Sequence, residues 1–452
     1  MHIRLFLLLV FVQHAASMVL PSLGRFNLDS LFQDDVFHSK RPEHGSPRND
    51  PAPLFRVNNA VSNRYIVVYN DEVTEEDVNS HNTWISSVSA KRDLESDQDD
   101  DERKLEFFGL PHFRGYSGWF PDNILHTIQN SPQVKYIEED AQVYAYDTSY
   151  QTDATWGLSR LSKRGLNATS RAYIHDAEGG SGVIAYVLDT GVRAWDSDFE
   201  GRAKYDKVLA FPRIPVDMHG HGTHVAGTVG SKTWGVAKQV NIVGVGVLGP
   251  FGVGRTSDII RGIEYAVTEH QENVRRETRG FRGSAINLSI GGGASGAMDA
   301  AANAAVDAGL HVVVAAGNDD ADACDYSPSR ASKVITVGAV DDNDQKANFS
   351  NYGKCVDIHA PGVDIESVGL SRSPEVMSGT SMAAPHITGL LAYFLSMRPG
   401  LGSEFGGELV GPEEMKRRLL NYGTRNVLRK LRSDTVNLMA YNGATSASGF
   451  WE

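Results

Sequence analysis

Continuous apolar runs at residues 183–188, 241–248, 285–290, 311–316 and 334–339 alternate with longer amphipathic stretches, notably at 256–269 and 296–308. Runs without polar alternation suit strands that are covered on both faces, and helices between them predict a mainly parallel α/β sheet with helices on both sides. Chemistry in such sheets gathers where the strands end. One further apolar run, at 387–395, follows the small and polar residues 378–386 and predicts a buried helix that opens near Ser381.

Ahead of this region the pattern changes. A strand at 65–69, a polar stretch with helical potential at 75–89, an aromatic segment at 113–120, a short helix at 122–129 and a strand at 134–138 follow one another. That order fits a β-α-β-β-α-β unit of about 80 residues, a small α+β, ferredoxin-like domain. The acidic run 97–102 reads as a solvated loop, and 145–150 as a polar, cleavable linker. Residues 18–62 are rich in Pro, Asn, Asp and Arg with little periodicity, and are expected to be a disordered leader. Residues 1–17 have a positive start, a short apolar core and small residues before Ser17, the pattern of a secretory signal peptide.

Charge and cysteine content sharpen the picture. The net charge is −13, and residues 1–148 hold 13 Lys and Arg against 23 Asp and Glu, so most of the acidity precedes the α/β region. Nothing in this balance suggests a nucleic-acid partner, and the basic positions Lys416, Arg417 and Arg418 read as the solvated face of a helix. No run later than the leader reaches the roughly 18 apolar residues of a membrane span. The two cysteines, Cys324 and Cys355, form an even count that in a secretory chain favours one disulfide over two buried thiols.

Four residues carry candidate chemistry. Asp189 directly follows an apolar strand, His221 opens a helix of small residues, Asn318 closes a strand after Gly317, and Ser381 opens the last apolar helix. Taken singly, each has a plain structural reading: a turn, a buried histidine, a turn again, and a helix-capping serine. Together they supply a nucleophile, an imidazole base, a carboxylate to orient it and an amide donor for an oxyanion. The order Asp, His, Ser excludes an α/β-hydrolase esterase, whose acid and histidine follow the serine. His221 and His224 share a helix face but lack the His-Glu-x-x-His spacing of a zinc protease.

Asp189-Thr-Gly191, His221-Gly-Thr-His-Val-Ala-Gly227, Ala315-Ala-Gly-Asn318 and Gly379-Thr-Ser-Met-Ala-Ala-Pro-His386 together resemble the subtilisin-like serine proteases. Tyr186-Val-Leu-Asp-Thr-Gly-Val192, Phe199-Glu-Gly-Arg202 and Gly235-Val-Ala-Lys238 resemble the proteinase K subfamily in particular. The resemblance runs over 149–445 as catalytic domain, with 446–452 as a C-terminal tail, and 63–148 resembles the inhibitory prodomain. It implies Ser381 as nucleophile, His221 as base, Asp189 as its partner, and Asn318 with the Ser381 N–H as oxyanion hole. Gly252, Val253 and Gly254, with Ser289, Ile290 and Gly291, match the substrate-binding strands, and Thr380, Ala383 and Ala384 read as clearance for a peptide.

The same resemblance aligns Asp357 and the carbonyls of Ser332 and Val334 with a structural calcium site, although Ser332 stands where proline is usual. It also places the disulfide in a pattern seen in other branches of the family, and Val225 where several relatives carry cysteine. Of the sequons at Asn167, Asn287 and Asn348, Asn167 is the better candidate for glycosylation because Asn287 falls in a predicted buried strand. The implied protein is a monomeric endopeptidase that needs no cofactor for catalysis and acts on peptides and proteins. It is held as a zymogen by its own prosegment, and is secreted or routed to a vacuole or lysosome. Two alternatives are a non-catalytic binding protein on the same fold and a convertase selective for basic residues. The second is disfavoured because the glycines at 291–293 and Ala315 suggest an open apolar pocket without an acidic residue.

Overall fold

The computed structural model describes residues 50–57, 60–94, 104–111, 113–141, 148–166, 171–370, 374–401, 408–444 and 449–451. Its larger sheet has nine strands in the spatial order Thr424–Arg425, Leu438–Met439, Ile358–Pro361, Ile335–Val340, His311–Ala315, Gly283–Leu288, Val183–Asp189, Asn241–Gly246 and Ala203–Val208. All neighbours pair in parallel except the first two. The central strands are buried at almost every position, which is why their sequences carry unbroken Val, Ile and Leu.

Two apolar clusters cover the two faces of the sheet. One includes the helix Thr380–Ser396, whose residues are buried throughout except Ser381. The other includes Ile259, Ile263 and Ala266 from the helix Thr256–Arg275 and Ala302 and Ala305 from Gly296–Asp307. The helix His221–Gly230 packs on Thr380–Ser396 at very short range. A Cβ at Gly389 would lie 2.9 Å from the carbonyl oxygen of Val229, so glycine is what lets the two helices approach.

The preceding unit is a five-stranded sheet in the order Leu54–Phe55, Val134–Ala141, Ala60–Tyr69, Phe113–Trp119 and Glu106–Leu110, with helices Glu75–Leu94 and Asp122–Gln129. Its core is Val67, Tyr69, Ile85, Tyr116, Phe120, Ile128 and Ile137. Arg279 of the α/β domain pairs with Glu139 of this unit and donates to the carbonyl oxygen of Val57.

The architecture agrees with the expected α/β sheet preceded by an α+β unit, and differs at the margins. The leader expected to be disordered to residue 62 contributes order earlier: Leu54–Phe55 pairs in parallel with Ile137 and Glu138, and Ala52 and Val57 are buried. The expected tail at 446–452 also packs. Phe450 is buried with its ring stacked 3.7 Å from that of Phe394, and its neighbour Trp451 faces Arg398 and Arg418. The linker ends in the strand Thr148–Gln151, which pairs with Tyr173–Asp176. The signal segment, the acidic run and Asn167 lie outside the described residues. No described helix is long and apolar enough to cross a membrane.

Candidate active site

Asp189 is the last residue of its strand and is fully buried. Its Oδ1 accepts from the Thr190 N–H at 2.7 Å and lies 2.7 Å from His221 Nδ1, while Oδ2 is buried without a hydrogen-bond partner. A strand end holds the carboxylate rigidly, and the single strong contact fixes which imidazole nitrogen faces away from it. Burial opposes charging of His221, but the charge and hydrogen bond of Asp189, with Asp217 behind, outweigh it and raise the imidazole pKa above its ordinary value.

The helix that carries His221 has Gly220 at its N-cap with φ 94°, so no side chain caps it from that position. Asp217 does this work instead. One carboxylate oxygen accepts from the N–H groups of His219 and Gly220 and from the Thr190 hydroxyl, and the other from the N–H and hydroxyl of Thr223. A buried carboxylate at the positive end of a helix is favoured by the dipole and orphan donors there.

Ser381 is the second residue of its helix, after an N-cap at Gly379 that has no side-chain cap, so the capping reading of Ser381 does not hold. Pro385 sits inside the same helix and has no N–H for the carbonyl of Ser381 four residues back. The Ser289 hydroxyl takes that carbonyl at 2.7 Å, and the Ser381 hydroxyl donates to the Ser289 carbonyl oxygen at 3.1 Å. This reciprocal pair ties the nucleophile candidate to the segment Ser289–Gly291 expected to bind substrate.

Asn318 lies three residues beyond the strand His311–Ala315 and is exposed. Its Oδ1 accepts from the Thr380 N–H at 2.8 Å and hydroxyl at 2.9 Å, and Gly317 N–H donates to that hydroxyl at 3.1 Å. Because a backbone N–H can only donate, the amide oxygen must face Thr380, which leaves the NH2 as donor on the other side. Thr380 is therefore not the peptide clearance expected from its size: it is fully buried and spends its hydroxyl on Asn318.

A cleft of about 530 Å³ lies beside these groups, lined by His221, Gly252, Val253, Ser289, Ile290 and Met298 among others. Both expected substrate segments thus border one cavity, and its described lining contains no carboxylate. Phe251 and Val253 stand exposed at its rim.

Comparison with known proteins bears directly on this arrangement. The subtilase family model matches residues 180–437, and the peptidase inhibitor I9 model matches 64–146. The chain belongs to the subtilase family. It is 42% identical over 421 residues to a subtilisin-like protease of Coccidioides posadasii, covering 88% of this chain and 85% of the relative. Cerevisin of Saccharomyces cerevisiae is 40% identical, with 92% of this chain and 70% of cerevisin covered. Alkaline protease 2 of Aspergillus fumigatus is 40% identical, with 89% and 86% covered. Among solved structures, a cold-adapted subtilisin-like serine proteinase matches with TM-score 0.57 and 38% identity over 64% of this chain and 98% of that one. This subtilase is thus a serine protease of subtilisin-like fold with an I9 prosegment.

The remaining expected sites of the subtilase lie apart from the cleft. Cys324 and Cys355 are joined as a disulfide. The calcium ligands do not fit a divalent cation. The ammonium of Lys416 donates to Val334 O at 2.5 Å and Asp357 Oδ2 at 2.9 Å, Thr336 N–H takes the same Oδ2 at 2.9 Å, and Ser332 is exposed. A cation there would meet a fixed like charge rather than the cluster of oxygens it needs. Asn287 is fully buried, as expected of an unused sequon, and Asn348 is exposed. Sequence reading passed over the roles of Asp217, Thr380 and Ser289 as supports. A buried-acid signal four residues before His221 could have found the first.

Proposed function

We propose that this subtilase is an endopeptidase of the proteinase K subfamily, made as a zymogen and sent along the secretory route to the exterior or to a vacuole or lysosome. The observation that carries the reading is the 2.7 Å contact of His221 Nδ1 with buried Asp189, beside a cleft that His221 and Ser289 both line, with Ser381 hydrogen-bonded to Ser289 and its helix neighbour Thr380 to Asn318. In the proposed reaction the Ser381 hydroxyl leaves Ser289 for His221 Nε2 and attacks the scissile carbonyl carbon as the imidazole takes its proton. The tetrahedral oxyanion is met by the Ser381 N–H and Asn318 NH2. His221 returns the proton to the leaving amine, an acyl-enzyme forms, and water reverses the sequence to release the acid.

Gly252–Gly254 and Ser289–Gly291 would hold an extended peptide as an added strand, so backbone hydrogen bonds give affinity and the pocket gives selectivity. The absence of a carboxylate from the described lining, with Ile290 and Met298 in it, supports apolar or aromatic residues before the cleaved bond rather than basic ones. The prosegment would be cut between residues 144 and 151 and remain as an intramolecular inhibitor of a monomeric enzyme. Wild type and Ser381→Ala expressed side by side test this. Wild type should release its prosegment and label with a fluorophosphonate, and the variant should do neither; maturation of the variant with no other protease present would overturn it.

A further inference from the structure

Asn318 stands beyond the last ladder bond of its strand, so the sheet does not fix where its amide points. The strand ends at Ala315, Gly317 has φ +106° and Asp320 has φ +47°, so the segment 316–321 is an irregular loop with two left-handed residues. Such a loop keeps one shape only when its surroundings over-determine it. The surroundings here are largely one residue, Asn351, which is fully buried.

Asn351 Nδ2 donates to the Ala316 carbonyl at 3.0 Å, and its own N–H donates to the Gly317 carbonyl at 2.9 Å. Its Oδ1 accepts from the N–H of Asp319 and of Ala321, each at 3.0 Å. Four backbone groups are thereby held, two before Asn318 and two after it. A Cβ at Gly317 would come within 2.3 Å of Asn351 Nδ2, so the loop also lies against the carboxamide with no slack. The surrounding contacts keep Asn351 itself in place: Phe349 O accepts from Asp320 N–H at 2.9 Å, and buried Lys346 spans Asp320 Oδ1 and Ser350 O, each at 2.8 Å.

We propose that Asn351 is a positioning residue for the oxyanion donor Asn318, setting the backbone from which that amide reaches while Thr380 sets its rotation. The proposal rests on the reading of Asn318 as oxyanion donor. The carboxamide is specifically required because it must donate to Ala316 and accept from Asp319 and Ala321 at once. In Asn351→Asp the shape is kept, but a carboxylate cannot donate and would face the Ala316 carbonyl oxygen. The loop would shift, and displacing a preorganised donor lowers turnover without weakening substrate binding elsewhere in the cleft.

The test compares wild type, Asn351→Asp, Asn318→Ala and the double variant as full chains, with matured active sites counted by burst titration so that only folded enzyme enters kcat. Asn351→Asp should lower kcat about 10-fold or more with KM nearly unchanged, since losing the whole donor costs about 100- to 1,000-fold. In the Asn318→Ala background the same change should lower kcat by less than about 3-fold, the donor it positions being gone. Asn351→Ser, which keeps one hydroxyl, is the second variant if the first does not mature, and should show the same background dependence. Equal losses in both backgrounds, or an unchanged kcat, would overturn the positioning role. If Asn318→Ala alone leaves kcat unaltered, it is the oxyanion reading that fails.

Discussion

Thr380 and Asn318 are joined by two hydrogen bonds to a single amide oxygen, one from the backbone N–H and one from the hydroxyl of Thr380. The first survives any substitution except proline; the second does not. Thr380→Val keeps the shape and removes the hydroxyl, freeing the amide to rotate and leaving the Gly317 N–H unpaired. The expected result is a kcat about 10-fold lower with little change in KM, against about 100-fold or more for Asn318→Ala. Thr380→Ser should recover most of the loss, and steady-state kinetics on one peptide substrate decide it.

The raised pKa of His221 gives the proposed reaction a defined acid limb. Only the neutral imidazole can accept the serine proton, and the Asp189 and Asp217 charges hold the proton on more tightly than in a free histidine. As pH falls, kcat/KM should therefore begin to drop at a value above the ordinary 6.5. Asp189→Asn removes the main stabilising charge, so the limb should move to lower pH while the rate at its plateau falls by about 10,000-fold. A pH profile of kcat/KM for both proteins checks the two directions separately.

The central strands and the four candidate groups were legible because each is written locally. Unbroken apolar runs such as 183–188 mark strands buried on both faces, and short motifs place Asp189 and Asn318 at or just past strand ends and His221 and Ser381 at helix starts. Ala203–Val208 was not legible, since it is an edge strand whose exposed Lys204, Asp206 and Lys207 break the apolar pattern. Leu54–Phe55 and Phe450 were missed for another reason: two strand residues and one ring show no periodicity, and their order comes from partners 83 (137 − 54) and 56 (450 − 394) residues away. The supports of the site follow the same rule. Thr380 and Asn351 act on residues about 62 and 32 positions distant, which no spacing in the sequence announces.

Lys416 gives the α/β domain a built-in cation where relatives are expected to bind calcium. A chelator should leave this locus unaffected, whereas Lys416→Met leaves the Asp357 carboxylate and Val334 carbonyl short of a donor. Both side chains are about one-fifth exposed, so the loss should be moderate, about 2 kcal/mol and about 2–4 °C in melting temperature. If the variant recovers stability on adding calcium while wild type does not respond, the two cations are alternatives at one place. A wild-type melting temperature that falls in chelator and returns with calcium, and a variant no less stable than wild type, would contradict this.

The disulfide closes the segments that flank Asn318 and Asn351. Cys324 follows the loop 316–321, Cys355 follows 346–352, and the separation is 31 residues. Closing such a loop restricts the unfolded chain by about 3–4 kcal/mol in the chain-entropy model. Cys324→Ala with Cys355→Ala should lower the denaturation midpoint accordingly. Because Asn351 holds the loop by its own bonds, kcat of the folded remainder should change far less than in Asn351→Asp.

Buried histidines set the acid limit of the fold. His311 is fully buried and burial pushes its pKa down to about 3, while His359 and His386 are brought down to about 4 by burial, only partly opposed by backbone carbonyls. In the unfolded chain each would titrate near 6.5. Between these values the unfolded state binds protons that the folded state refuses, so stability falls as pH drops. The stability they contribute is fully present above about pH 6.5 and is lost progressively as pH falls toward about 4 for His359 and His386 and about 3 for His311. Melting temperatures of Ser381→Ala, which cannot digest itself in the proposed reading, should decline steadily across that window. His311→Gln, neutral at every pH, should flatten the decline even if it lowers the plateau. A decline that starts only below pH 4 would instead assign acid unfolding to carboxylates.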